Sequence, residues 1–313
     1  MAGIELYAPR TERHRRTWTW AAILLAVVFI VLGMIPMAVL GLVFHIPIQP
    51  GINWMADSFQ LYGFAGVILV FFLWVWLFER RSPRVLGFND KAVPRYLRGL
   101  GIGFGFITAV VGGIWLLGGY QIESAGFWGA PSLTLLVPLI ALFGGFMVQG
   151  ATEEIAMRGY LLQIIASRHG IIWGIVVNMI IFSLLHAGNI EMSKELIIGL
   201  LNIVLVAVFL SFYAIQERSL WGVCAWHTAW NWLLGVGFGL EVSGMKLDAA
   251  PLVVDLMDRP GAIWWLTGGK FGPEASLVTS VVLSLGVAWL VWKGALKPKE
   301  SYPAPVSAEK TAV

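Results

Sequence analysis

Charge is what this sequence has least of. Asp, Glu, Lys and Arg make up 12% of its 313 residues, against about 25% in a soluble domain. That is too little to wet the surface of a globular protein of this length. The same shortage excludes a disordered chain and a nucleic-acid binder with a basic face. Cysteine is nearly missing as well: Cys224 stands alone, so no internal disulfide forms and no redox compartment is readable. No internal repeat, no low-complexity stretch and no His-Glu-x-x-His zinc-protease helix occurs. What the chain has instead is 58% hydrophobic residues, 16 Trp and 36 Gly, a composition suited to membrane helices and their interfaces.

A bilayer core of about 30 Å needs about 20 apolar residues per crossing helix. Eight apolar runs meet or approach that length, at 19–44, 61–79, 99–119, 133–152, 171–187, 197–215, 219–240 and 276–293. The expected fold is therefore all-α, a polytopic integral membrane protein with about eight transmembrane helices. The first run exceeds a signal-peptide core and reads as an uncleaved anchor. Residues 1–94 form an N-terminal arm with the first two helices, and 95–240 a core. Residues 241–297 form an outer loop with the last helix, and 298–313 a polar tail. The outer loop has room for a short interfacial helix and carries no chemical motif.

Basic residues assign the sides. Arg10, Arg13, Arg15 and Arg16 precede the first run, and Arg80, Arg81, Arg84, Lys91, Arg95 and Arg98 follow the second. Arg158, Arg168 and Arg218 lie in later loops of the same parity, and Lys293, Lys297, Lys299 and Lys310 follow the last run. Only Lys194, Lys246, Arg259 and Lys270, four of the 21, fall on the opposite side. The rule gives both termini inside, in the plasma membrane of a cell.

Ionisable groups within membrane segments are costly and point to function. Here they gather between residues 153 and 231, in three clusters. The first is Glu153-Glu154-Ile155-Ala156-Met157-Arg158. Helical spacing puts Glu154 and Arg158 on one face, where they pair, and leaves Glu153 without a local partner. A partly desolvated carboxylate of that kind suits a general base. The second is Phe182…His186, with Asn189 three residues on; the third is His227…Asn231, four apart on one face. Taken singly, each reads equally as a helix-end ion pair, a satisfied helix-end histidine, or interhelical hydrogen bonding. Together, a Glu, two His and an Asn on three helices make a kit for hydrolysis in a dry place, with a carboxylate to activate water and donors for an oxyanion.

The ordered set Glu-Glu-x-x-x-Arg, Phe-x-x-x-His and His-x-x-x-Asn resembles the CPBP family of intramembrane proteases, which includes type II CAAX prenyl endopeptidases and bacteriocin-related proteins. The match is complete at Glu153, Glu154, Arg158, Phe182, His186, His227 and Asn231, and Arg84…Leu86-Gly87-Phe88 looks like the family's segment before the core. The resemblance covers about 95–240. It implies an intramembrane endopeptidase in which Glu153 activates the water, Glu154 and Arg158 hold the site, His186 orients the water, and His227 and Asn231 bind the oxyanion. It implies a peptide or protein substrate, prenylated or of bacteriocin-leader type, held at the lipid bilayer. No cofactor is required by this reading. A Zn2+ on Glu153, His186 and His227 is the open alternative, with the metal-free form preferred.

Two competing functions use the same residues. A non-catalytic membrane scaffold or self-immunity protein would tolerate loss of Glu153 or a His, and none is lost. A proton-coupled transporter would show paired halves, and no repeat is seen. One tension remains in the layout. If the fourth span stops at 152, Glu153 lies near the inner end of span four while His186 lies near the outer end of span five. A helix continuing past Tyr160 toward Arg168 would bring Glu153 deeper and remove the conflict.

Overall fold

The computed structural model describes residues 3–47, 49, 51–295 and 297; the polar tail assigned to 298–313 lies outside the described residues. The chain is mostly helical. We label the main helices α1 Thr19–Val43, α2 Trp54–Phe78, α3 Ala92–Leu116, α4 Leu133–His169, α5 Ile171–Leu185, α6 Lys194–Glu217, α7 Trp221–Trp232 with its continuation Leu233–Gly237, and α8 Leu277–Trp292. Five of these, α1 to α4 and α6, are long and apolar enough to cross a membrane; α5 and α8 are shorter apolar helices. The protein is an integral membrane protein. Polar side chains start several of the helices: Asn53, Ser132, Ser193 and Ser276 each accept a backbone N–H from the first turn of α2, α4, α6 and α8, the groups a helix start leaves unpaired.

The main departure from the expected spans is α4. It runs unbroken for 37 residues, about 55 Å at 1.5 Å per residue, and Glu153 falls near its middle instead of at its end. Gly170, with φ +90°, closes α4 and starts α5. Glu154 precedes Gly170 by 16 residues and His186 follows it by 16. A helical hairpin about that glycine therefore carries the chain roughly 24 Å away and 24 Å back, returning His186 to the level of the two glutamates. The tension in the sequence layout disappears for this reason. Every residue from Glu154 through Ser167 is buried, so the second half of α4 is the axis of the core.

Two further differences concern the parts assigned to loops. The fold is not purely helical: β1 (Tyr120–Ser124) pairs antiparallel with β2 (Asp255–Asp258), with Tyr120 opposite Asp258 and a bulge between Ile122 and Ser124. This ribbon and the one-turn helix Trp264–Thr267 make the outer loop a folded cap. The N-terminal arm is also built in. Ile4, Leu6 and Tyr7 are buried, Ile4 N donates to Ala166 O at 3.0 Å, and Tyr7 Oη donates to Arg158 O at 3.2 Å. Nearby, Thr17 Oγ1 donates to Glu79 at 2.8 Å and Arg10 pairs with Glu79 at 3.4 Å.

Candidate active site

Glu153, His186, His227 and Asn231 line a cavity of about 390 Å³, bounded by α1, α2, α4 to α7 and the outer cap, while Glu154 and Arg158 lie fully buried beside it. Glu153 and Glu154 end the regular part of α4. Directly after them the helix widens to π geometry over Ile155–Leu161, and α7 does the same directly after Asn231 and Trp232, over Leu233–Gly237. Such widenings are rare and are found often at functional sites.

The two adjacent carboxylates have opposite surroundings. Glu154 and Arg158 are fully buried, and Arg158 Nη1 donates to Glu154 Oε1 at 2.9 Å, the pair expected from their spacing. The guanidinium also lies over the Phe182 ring, 4.5 Å from its centroid, which explains why an aromatic stands one turn before His186. The same Glu154 oxygen accepts from His227 Nδ1 at 2.9 Å. Glu153 instead faces the cavity, its side chain 21% exposed.

Both imidazoles have their tautomers set by their neighbours. His186 Nδ1 lies 2.8 Å from Phe182 O, and a carbonyl only accepts, so Nδ1 carries the proton. His227 Nδ1 donates to the Glu154 carboxylate for the same reason. Each ring therefore presents Nε2 to Glu153: His227 Nε2 is 3.5 Å and His186 Nε2 is 3.9 Å from Glu153 Oε2. That oxygen is buried and has no hydrogen-bond partner among the described residues. Both Nε2 atoms thus lie within 4 Å of one buried carboxylate oxygen beside the cavity, and with neutral rings all three atoms are acceptors. An arrangement of that kind calls for a shared donor, and a water molecule supplies two protons.

Asn231 lies one turn beyond His227 on α7 and borders the same cavity, as does Asn189 in the turn after α5. The expectation that Glu153 lacks a local partner needs correction. Gln149, one turn earlier on α4, donates from Nε2 to Glu153 Oε1 and accepts from Asn231 Nδ2 at 3.0 Å. An uncharged amide inside an apolar run does not register when only ionisable groups are sought; its spacing of four from Glu153 was the available signal. Ionisable groups outside 153–231 were missed in the same way. Asp57 is buried at the start of α2, where it accepts from Gly51 N at 2.7 Å and Asp248 N at 3.1 Å. Buried Glu274 accepts from Trp230 Nε1 at 3.0 Å and from Ser243 Oγ at 2.9 Å. Both carboxylates border the cavity and tie the outer cap down around it.

As to a metal, the described residues include no group of three His, Cys, Asp or Glu side chains arranged to hold one. Glu154, which orients His227, is itself committed to Arg158. The ligand set Glu153, His186 and His227 is not supported as a metal centre, and no step below passes through one.

An apolar helical protein with a Glu/His/Asn cluster on a cavity holds the kinds of group that hydrolysis inside a membrane needs. The comparison with protein families agrees. Residues 134–233 match the family described as type II CAAX prenyl endopeptidase Rce1-like, which bears out the resemblance drawn from the three motifs and supports a protease kind of function acting on a peptide. The matched stretch takes in all of the cluster residues and the α4–α5 hairpin but for the first residue of α4. No curated protein and no solved structure shows a significant match to the chain.

Proposed function

We propose that the protein is an intramembrane endopeptidase that hydrolyses a peptide bond with a water activated by Glu153. The observation that carries this reading is that His186 Nε2 and His227 Nε2 both lie within 4 Å of the buried, unpartnered Oε2 of Glu153 at the cavity wall. A water seated there donates to two of the three acceptors and keeps a lone pair for attack on a substrate carbonyl. Glu153 Oε2 takes the proton as the C–O bond forms. His227 Nε2, 3.5 Å away, is placed to receive that proton from Glu153. The imidazolium so formed is stabilised through Nδ1–H by Glu154, the role a buried carboxylate plays toward a catalytic histidine. It then donates to the oxyanion and finally to the leaving amine, so the proton taken from water ends on the product. The second N–H of Asn231 Nδ2 serves the oxyanion, and His186 orients the water.

The layout that goes with this reading is eight spans with both termini inside, in the plasma membrane, and a catalytic core over about 95–240. The substrate is a membrane-associated peptide, with prenylated C-terminal peptides the first class to try because the matched family is named for them. The test is cleavage of a mixed panel of prenylated and leader-type peptides by the purified protein. Wild type and Glu153→Gln run side by side, each with and without a chelator. Cleavage lost in Glu153→Gln and unaffected by the chelator is the expected result. Equal cleavage by Glu153→Gln would sink the proposal, and loss with the chelator would remove its metal-free part.

A further inference from the structure

Gln149 links the two sides of the site. It is buried on α4, one turn before Glu153, and faces α7. The direction of its hydrogen bonds is forced by chemistry. An ionised carboxylate only accepts, so Gln149 turns Nε2 to Glu153 Oε1. That leaves Gln149 Oε1 toward α7, and Asn231 must answer it with Nδ2, as it does at 3.0 Å. Two consequences follow. Glu153 Oε1 is occupied, so Oε2 is the oxygen that faces the histidines. Asn231 is held by its nitrogen, and since that nitrogen carries two protons, one remains for a ligand in the cavity.

We propose that Gln149 is a positioning residue of the hydrolysis, selecting Oε2 of Glu153 as the basic oxygen and holding Asn231 with its donor toward the substrate oxygen. The inference rests on the proposed function and deepens it. A purely structural bridge between two membrane helices would contribute to stability, as polar contacts between such helices do, and would leave turnover alone. A positioning role instead appears in turnover, because a misplacement of about 1 Å costs on the order of 100-fold.

The experiment compares wild type, Gln149→Met, which keeps the length without donor or acceptor, and Gln149→Glu, which keeps an acceptor for Asn231 and removes the donor to Glu153. The probe is the panel peptide that wild type turns over fastest. Both variants are expected to lose about 10- to 100-fold in kcat with KM within about twofold. Combining Gln149→Met with Asn231→Ala is expected to cost less than the product of the two single losses, because they share the Gln149–Asn231 link, and more than Asn231→Ala alone, because the contact with Glu153 goes as well. Wild-type kcat in whichever variants fold overturns the proposal while Glu153→Gln stays inactive. An active Glu153→Gln overturns the underlying reading instead. In substrate-free protein, the infrared carboxylate band that disappears in Glu153→Gln is expected to move in Gln149→Met. An unmoved band overturns the proposal without any substrate.

Discussion

Glu153 and Glu154 are neighbours in sequence and opposites in environment: the first faces a cavity, and the second is sealed against Arg158 and His227. Their neutralising substitutions are therefore expected to separate activity from stability. Glu154→Gln leaves a guanidinium buried without its counter-charge, a change worth about 3–5 kcal/mol. Glu153→Gln keeps the shape and removes only a cavity-facing charge, so its thermal unfolding in detergent should stay close to wild type while cleavage is lost. Equal loss of stability in the two variants would mean that both carboxylates are structural.

The Arg158–Phe182 contact makes a second prediction. The guanidinium lies 4.5 Å from the ring centroid, and a desolvated contact of that kind is worth about 2 kcal/mol. Phe182→Leu keeps the backbone carbonyl that fixes His186 Nδ1 and removes the ring. It should lower stability by about 1–2 kcal/mol and retain measurable cleavage. Arg158→Lys should be worse, because an ammonium cannot both pair with Glu154 and lie flat over the ring. Denaturant or thermal midpoints of the two variants check the order.

Glu274 predicts a behaviour of the outer cap. Its carboxylate joins Trp230 on α7 to the backbone and hydroxyl of Ser243. Glu274→Ala strands these donors, at about 1–3 kcal/mol for each one buried unsatisfied. Hydrogen exchange in 241–275 should rise well before exchange in α4 does. Unchanged protection there would show that the β1–β2 ribbon alone holds the cap.

These relationships were unevenly legible in the sequence. Helix ends set by apolar length came out close: α1 ends at Val43 against an expected 44, and α8 spans Leu277–Trp292 against 276–293. The grouping of Glu153, His186 and His227 was also readable, since helical spacing alone pairs Glu154 with Arg158. The continuity of α4 was legible only as the alternative to a span ending at 152, an alternative the helix to His169 bears out, because a Glu-Glu-x-x-x-Arg stretch after twenty apolar residues looks like a helix end when charge marks the membrane boundary. The charges are tolerated inside because they neutralise one another within a sealed core. The β1–β2 ribbon joins segments more than 130 residues apart, and short polar strands at that separation leave no local period. Gln149 escaped because its significance lies in what it touches.

Four glycines on α3 allow the placement of α7 to be tested with matched controls. Gly99 and Gly103 are buried where α3 crosses α7, one turn apart, the close-approach pattern of membrane helix pairs. A Cβ on Gly103 would sit 2.6 Å from Trp226 O and 2.8 Å from Ala229 Cβ, and one on Gly99 would collide with Gly222 O. Backbone atoms cannot step aside as a side-chain tip can, so α7 itself must move. His227 and Asn231 ride on α7, so Gly103→Ala should cost cleavage at least as much as it costs stability. Gly101 and Gly105 alternate with these positions on the same helix, and a Cβ on either meets nothing within 4 Å. Alanine there should be neutral, or stabilising by up to about 1 kcal/mol through helix propensity. Cleavage rates and unfolding midpoints for the four single alanine variants decide the matter. If Gly103→Ala and Gly105→Ala behave alike, the α3–α7 contact does not set the position of the histidine and asparagine.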